Sequence, residues 1–247
     1  MCGRFTLRTS AREIAEQFAL GAAEPFSPRF NIAPSQPVAV VRIGRRRDDT
    51  GDPRNTGKSP PRELAWLRWG LVPSWARDPN VANRLINVRA ETAATKPAFR
   101  AAMRHRRCLI LADGFYEWQP IGRAKQPYFI HLRDNRPLAF AGLWESWEGP
   151  VGQVRNPQSA PRLETCALLT TEANDLLRPI HDRMPVVLPP DGYSIWLDPK
   201  IEDAGQLAPL LVPYPAGEME AYPVSRLVND PAHESPDCIA PGQPTLF

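Results

Sequence analysis

The stretch RCLILADGFYEW at residues 107–118 decides the fold, because it predicts two consecutive strands, Arg107–Ala112 and Gly114–Trp118. Similar short apolar or aromatic runs predict further strands at Pro37–Ile43, Glu63–Trp69, Pro127–Leu132, Leu138–Leu143, Thr165–Thr170 and Pro185–Leu188. Helices are predicted at Pro97–Arg104, Glu172–Leu177, Asp191–Leu197 and Ile201–Leu211. Since strands dominate without regular βαβ alternation, this order predicts an α+β fold with a mixed, barrel-like core flanked by short helices.

One further helix is predicted near the amino terminus. Ser10-Ala11-Arg12-Glu13 has the form of a capping box, in which serine and glutamate side chains satisfy free backbone N–H groups. Ile14 and Phe18 follow at a spacing that places both on one helical face. We expect a short helix whose apolar face belongs to the scaffold.

The composition is that of one globular domain built from short elements. A chain of 247 residues with 43% hydrophobic content can bury a full core, and its 29 prolines favour many rigid turns. We expect a single domain over residues 1–230, with a polar surface loop at about 44–62, and a C-terminal tail over residues 231–247. Few order signals occur in Gly149–Leu163 or after Asn229, which favours loops or frayed ends there.

Charge and cysteine content narrow the class of function. The net charge of +3 permits contact with phosphates without establishing it. Cys2, Cys108, Cys166 and Cys238 lack CxxC spacing and accompany only four histidines, so neither a zinc site nor a disulfide framework is indicated. This pattern predicts a reducing, cytoplasmic location. No leader of signal-peptide form and no 18-residue apolar run occurs, which predicts that no membrane is involved.

The amino-terminal sequence Met1-Cys2-Gly3-Arg4-Phe5 carries the strongest chemical signal. Removal of Met1 would leave a cysteine with both a free α-amine and a thiol. With ordinary pKa values of about 8 and 8.5, each group is partly nucleophilic near neutral pH. Such a pair can attack an amide, or condense with an aldehyde to close a thiazolidine ring. A small apolar residue buried in a sheet is the alternative interpretation of Cys2.

Two titratable residues are candidates for proton transfer. Strand alternation places Glu117 on one face with Phe115 and away from Tyr116 and Trp118, so we expect apolar surroundings to raise its pKa. A carboxyl group of this kind suits acid or base catalysis near neutral pH. His181 lies at a junction between a predicted helix and a strand, where catalytic groups are common. The alternatives are a glutamate paired with an arginine and a histidine satisfied by backbone in a turn.

The run Asn87–Thr92 places an amide, a guanidinium and a carboxylate at alternate positions. If this run is extended, Asn87, Arg89 and Glu91 point the same way. A surface strand with an internal ion pair between Arg89 and Glu91 explains the pattern equally well.

Taken together, these motifs resemble those of the SOS-response-associated peptidase (SRAP) family, whose members form covalent crosslinks to abasic sites in single-stranded DNA. The resemblance covers nearly the whole chain. It rests on seven segments in order: Met1–Phe5, Phe30–Pro34, Trp69–Trp75, Asn87–Thr92, Gly114–Trp118, Ile180–Pro185 and Pro223–Asn229.

The resemblance implies which residues form the site. It implies catalytic roles for Cys2, as the nucleophile, and for Asn87, Glu117 and His181 around it. It implies that DNA is bound by Arg4, Arg89 and Arg183 on phosphates and by Trp75 stacked on a base. Ala76 stands where some relatives have a second aromatic residue, so we expect base stacking that is weaker or is supplied from elsewhere in the chain.

The resemblance also implies the activity and the partner. We expect a thiol peptidase that removes its own Met1, then crosslinks abasic DNA through a thiazolidine, with lyase-like chemistry, and so protects damaged DNA. The expected partner is single-stranded DNA containing abasic sites, bound without metal or cofactor by a monomer. We expect the protein in the cytoplasm, associated with the nucleoid when bound to DNA.

Three rival functions use parts of the same sequence. Glutamine amidotransferases with an N-terminal nucleophile also begin with Cys-Gly, and they release ammonia from glutamine. The others are a non-covalent single-strand binding module, in which Cys2 is incidental, and a peptidase that acts on other proteins. A covalent band with abasic DNA on a denaturing gel is expected from the crosslinking function alone.

Overall fold

The computed structural model describes residues 2–44, 61–149 and 162–242. The strands within these ranges are β1 Phe5–Leu7, β2 Arg29–Ile32, β3 Pro37–Ile43, β4 Arg62–Trp69, β5 Asn87–Arg89, β6 Arg107–Ala112, β7 Gly114–Ile121, β8 Ala124–Leu132, β9 Leu138–Trp147, β10 Leu163–Glu172, β11 Arg183–Pro185, β12 Val187–Leu188 and β13 Met219–Pro223. The α-helices are α1 Ala11–Gln17, α2 Ala90–Ala93, α3 Arg100–His105, α4 Gly192–Leu197 and α5 Ala204–Leu207. Within the described ranges, no helix is both long and apolar enough to cross a bilayer.

Five strands close into a barrel. β10 pairs with β4, β4 with β3, β3 with β6, β6 with β9, and β9 pairs back onto β10. The β10–β4 pairing is parallel and the other four are antiparallel, so the sheet is mixed. The predicted α+β fold with a mixed, barrel-like core is therefore confirmed.

A second sheet, in the order β13-β8-β7-β1-β2, packs on the barrel through aromatic rings. Phe5 of β1 lies 5.0 Å from Trp69 and 5.8 Å from Phe140 between ring centroids, and Phe115 of β7 lies 5.9 Å from Phe140. All four rings are buried. Because aromatic pairs at these separations add to the stabilisation from burial, they fix this sheet on the barrel.

Gly114 on β7 has no room for a side chain beside β8. A Cβ atom at this position would lie 2.7 Å from the carbonyl oxygen of Ile130 and closer still to the ring of Phe129. We expect Gly114→Ala to lower the free energy of unfolding by about 1–3 kcal/mol, because the well-packed sheet must shift to admit the methyl group. Urea denaturation measures this change. Gly21→Ala is the matched control, since nothing lies within 4 Å of a Cβ there, and an equal loss in both variants would contradict the explanation.

Most of the predicted elements are present. The capping box at the start of α1 is confirmed, since the side chains of Ser10 and Glu13 each accept a hydrogen bond from the backbone N of the other. Ile14 and Phe18 are buried, as expected. All eight predicted strands occur, although the segment Pro185–Leu188 is divided between β11 and β12.

Three predicted helices differ from the structure, and the smallest difference is at Pro97–Arg104, where α3 begins only at Arg100. The helix at Glu172–Leu177 is wrong: pairing with β11 extends β10 to Glu172, and hydrogen-bonded turns follow in which Asn174 Oδ1 accepts from the backbone N of Leu177. The helix at Ile201–Leu211 is shorter than predicted, because Pro209 stands where α5 has given way to a 3-10 turn.

The carboxyl-terminal segment, as far as residue 242, packs against β2. Glu234 binds the guanidinium of Arg29 at 2.8 Å and accepts hydrogen bonds from the backbone N atoms of Phe30 and Asn31. Cys238 is fully buried. The segment is a loop, as expected, but it is not frayed. The other predicted loops fall mainly on residues 45–60 and 150–161, outside the described residues.

Candidate functional site

The position of β1 brings the amino terminus to the second sheet. β1 lies between β2 and β7, with Phe5 opposite Ile32 on one side and Phe115 on the other. Cys2 lies three residues before Phe5 of β1, while Glu117 lies two residues beyond Phe115 on β7. The sheet register therefore places the amino-terminal cysteine beside the glutamate.

Cys2 is fully buried, and its Sγ lies 3.6 Å from the carbonyl oxygen of Arg4, to which the thiol donates. Burial raises the pKa of the Cys2 thiol well above its ordinary value, and the nearby charge of Glu117 raises it further. The expectation that this thiol is partly ionised near neutral pH is therefore wrong for the folded chain. The sulfur is held as a neutral thiol and must lose its proton during any reaction.

Glu117 is only 2% exposed on β7. Burial raises the pKa of its carboxyl group, as the strand alternation predicted, because an apolar environment disfavours the charged form. The residue lines a cleft of about 360 Å³ together with Trp118, Lys125, His181 and Asn229. A buried acid thus faces a cavity of ligand size.

His181 lies in the turn before β11. Its Nδ1 atom is 3.0 Å from the backbone N of Arg183 and 2.9 Å from Oδ1 of Asp182. Without a proton, Nδ1 accepts from the backbone N–H; with one, it donates to the carboxylate. The backbone contact is the one expected of a histidine satisfied in a turn, yet the ring also lines the cleft. Nδ1 of His181 therefore has one hydrogen-bond partner with a proton and a different one without it.

Asn87 connects the barrel to the amino terminus. It begins β5, whose parallel pairing places it opposite Leu168 of β10, and its Nδ2 donates to the carbonyl oxygen of Cys2 at 2.8 Å. Its Oδ1 is buried and accepts no hydrogen bond within the described part of the chain. The expected alignment with Glu91 is wrong, because β5 ends at Arg89 and α2 begins at Ala90.

The residues predicted to contact DNA occupy different environments. Arg183 makes two hydrogen bonds to the carboxylate of Glu91, at 2.6 and 2.9 Å, and a third to the carbonyl oxygen of Thr170 at 2.6 Å. In contrast, Arg89 is exposed at the end of β5. Trp75 is also exposed, with 62% of its surface accessible.

Arg4 is held within the fold. Its guanidinium donates to Asn31 Oδ1 at 2.8 Å and to the carbonyl oxygens of Val228 at 2.7 Å and Asn229 at 3.3 Å. Burial lowers the pKa of Arg4, which nonetheless stays charged at neutral pH. Arg4 therefore ties the amino terminus to the segment that forms one side of the cleft.

The structure adds two residues that sequence reasoning did not single out. Asn229 belongs to a segment that carried the family resemblance, but nothing assigned it a place in the cleft. Its Oδ1 accepts from Trp118 Nε1 at 2.8 Å. Lys125 is an exposed residue of β8, and nothing in the sequence separates it from other surface lysines. Only the hairpin geometry brings it to the cleft.

A family model described as SOS response associated peptidase (SRAP) matches residues 1–231. The chain belongs to this family. The resemblance drawn from its motifs is thus confirmed.

Named relatives of this SRAP chain come from distant organisms. It is 42% identical to "Abasic site processing protein YoqW" of Bacillus subtilis, over 97% of this chain and 99% of that protein. It is 31% identical to "Abasic site processing protein HMCES" of Gallus gallus, over 87% of this chain and 67% of that protein. A crystal structure from Bacteroides thetaiotaomicron, 21% identical, has the same fold, with a TM-score of 0.81 over 98% of this chain and all of the other.

Proposed function

We propose that this protein processes abasic sites in single-stranded DNA by forming a covalent thiazolidine crosslink through Cys2 after removal of Met1. One observation carries the proposal: Cys2, fixed by Asn87, lies within the electrostatic influence of Glu117, and the cleft of Glu117 also holds His181. Relatives at 42% and 31% identity bear names that state abasic site processing, which supports the same function.

The proposed reaction uses both nucleophiles of the mature terminus. An abasic deoxyribose opens from its hemiacetal to expose the C1 aldehyde. The Cys2 amine adds to C1 and water leaves, which gives an imine. The sulfur then forms a bond to C1 while the thiol proton passes to the nitrogen, so the ring closes without an oxidant or a metal. A neutral buried thiol suits this last step, because the proton that it loses is the one that nitrogen gains.

The surrounding residues have distinct roles in this proposal. Glu117, whose pKa is raised by burial, gives a proton to the departing oxygen and takes one during ring opening of the sugar. His181 exchanges protons with the sugar hydroxyl, since an imidazole ring has one nitrogen that can donate and one that can accept. Asn87 orients the terminus: its Nδ2 holds the Cys2 carbonyl, and its Oδ1 can accept from the α-amine.

We propose that the DNA strand runs over Arg89 and Trp75, an exposed cation and an exposed aromatic residue. A guanidinium binds phosphate in bidentate fashion, and an indole face holds an unpaired base. Arg89 and Trp75 meet these needs as exposed side chains. Arg4 and Arg183 have internal partners, so each would exchange or share one of them when it contacts a phosphate. Self-removal of Met1, a monomeric state and a cytoplasmic location stay predictions.

The test is incubation of purified protein with a single-stranded oligonucleotide carrying one abasic site, followed by a denaturing gel. A heat-stable shifted band is expected, and intact mass should equal protein without Met1 plus oligonucleotide minus one water. The same oligonucleotide with an intact base is the control. Absence of the band from protein whose mass confirms loss of Met1 would overturn the proposal.

Arg89→Ala should weaken binding to any single strand by removing one phosphate contact. We expect the slope of the logarithm of the association constant against the logarithm of salt concentration to fall in magnitude by about 0.7. The reason is that the variant neutralises one phosphate fewer and so releases fewer counterions. Fluorescence anisotropy at several salt concentrations measures it. Arg12→Ala, which removes an exposed arginine of α1 that pairs with Glu16, is the control. An unaltered slope in Arg89→Ala would return Arg89 to a structural role.

A further inference from the structure

We infer that Lys125 forms a phosphate-binding subsite in the cleft and holds a backbone phosphate beside the abasic sugar. This inference rests on the proposed function, because the sugar is placed at Cys2 and Glu117. It goes further by assigning a DNA contact to the β7–β8 hairpin, which carries none of the residues implied by the family resemblance for DNA binding.

The hairpin register sets where Lys125 stands. Lys125 pairs with Pro120, three positions along β7 from Glu117. At about 3.4 Å a residue, this places the Lys125 backbone about 10 Å from that of Glu117 toward the hairpin tip. The lysine has a flexible four-carbon stem that can span part of this distance, and both residues line the same cleft.

Trp118, Lys125 and Asn229 form a second wall of the cleft. Trp118 pairs with Pro127, so Lys125 is its diagonal neighbour on one face of the hairpin. Asn229 is fixed by the indole N–H of Trp118 and by Arg4, which donates to its backbone carbonyl. Lys125 therefore neighbours a wall in which Trp118 and Asn229 are already held by hydrogen bonds, so binding there need not order these two residues.

The charge of Lys125 is not committed to a carboxylate. No ion pair to Lys125 occurs across residues 2–44, 61–149 and 162–242, whereas Arg183 is clamped by Glu91. Arg4 likewise donates its hydrogen bonds to Asn31 and to backbone carbonyl oxygens. Lys125 thus offers the cleft an ammonium that can take up a phosphate without breaking an existing ion pair.

The test uses single-stranded oligonucleotides with one tetrahydrofuran abasic analogue, which cannot crosslink. In a series, each phosphate near the analogue is replaced in turn by a neutral methylphosphonate. Wild-type protein should lose affinity, by about tenfold, for the member that lacks the phosphate bound by Lys125. Lys125→Met should bind the unmodified strand about tenfold more weakly than wild type. Its affinity should not fall further when the phosphate bound by Lys125 is replaced by methylphosphonate.

Two variants control for charge and shape. Lys125→Arg should keep the response to the methylphosphonate, and Lys200→Met, which removes an exposed lysine beside Asp198, should bind as the wild type does. The inference is overturned if Lys125→Met and wild type respond alike to every methylphosphonate, or if Lys200→Met weakens binding equally. Because binding of the analogue involves no covalent step, failure of this inference is distinct from failure to crosslink a true abasic site.

Discussion

Cys2→Ser is expected to abolish the heat-stable crosslink to abasic DNA. A serine amine can still form an imine with the C1 aldehyde, but a hydroxyl is a far poorer trap than sulfur for the imine carbon. The variant should therefore stop at a reversible product that heat or hydrolysis destroys. We expect the stable band to fall by about 10³-fold or more, the scale seen when a nucleophile is removed. A time course on denaturing gels, with and without borohydride reduction, measures both products.

Borohydride distinguishes the step made by the amine from the step made by the sulfur, because it reduces an imine to a stable amine. Cys2→Ser should yield a band only when the reductant is present. Cys238→Ser is the matched control: it makes the same thiol-to-hydroxyl change at a buried cysteine whose Sγ donates to the carbonyl of His233, a bond that serine can keep. A heat-stable band from Cys2→Ser without reductant would contradict the thiazolidine route.

The barrel strands could be predicted because each is a local signal. Runs such as Pro37–Ile43 and Arg107–Ala112 are apolar except for one arginine each, and the structure has the same bounds. The elements that sequence reasoning missed are short strands whose existence depends on distant partners. β1 has three residues and forms between β2 and β7, far away in the chain. Such a strand has little pattern of its own.

The same distinction applies to the candidate site. The raised pKa of Glu117 follows from alternation within a single strand, so the sequence predicts it. The burial of the Cys2 thiol depends on where β1 is inserted, and the sequence alone suggested an ordinary pKa. Arg183 looked available for phosphate, yet Glu91 of another segment binds it. Lys125 reaches the cleft only through the hairpin register. Motifs thus indicate residue types, whereas tertiary contacts decide their protonation and availability.

Glu117→Gln should slow crosslinking by about 10²- to 10⁴-fold while single-strand affinity changes little, because the amide keeps the shape but cannot transfer a proton. Single-turnover gels at saturating DNA measure the rate, and anisotropy measures the affinity. His181→Gln is the comparison within the same cleft, since it removes the imidazole and leaves the Glu117 carboxyl group in place. An unchanged rate in Glu117→Gln would remove Glu117 from the proposed mechanism, whereas an equal loss of affinity would indicate a structural effect.

The pH dependence of stability gives a second test of Glu117 that needs no DNA. Its folded pKa lies above the unfolded value of about 4.3, because burial disfavours the carboxylate. In this pH range the folded state binds more protons than the unfolded state. The contribution of Glu117 to the free energy of unfolding is therefore fully present below the unfolded pKa. It is lost as pH rises through the folded pKa. Glu117→Gln should therefore gain stability relative to wild type across that window. Urea midpoints measured from pH 4 to 8 check it, and parallel curves for both proteins would show that Glu117 is not titrating as a buried acid.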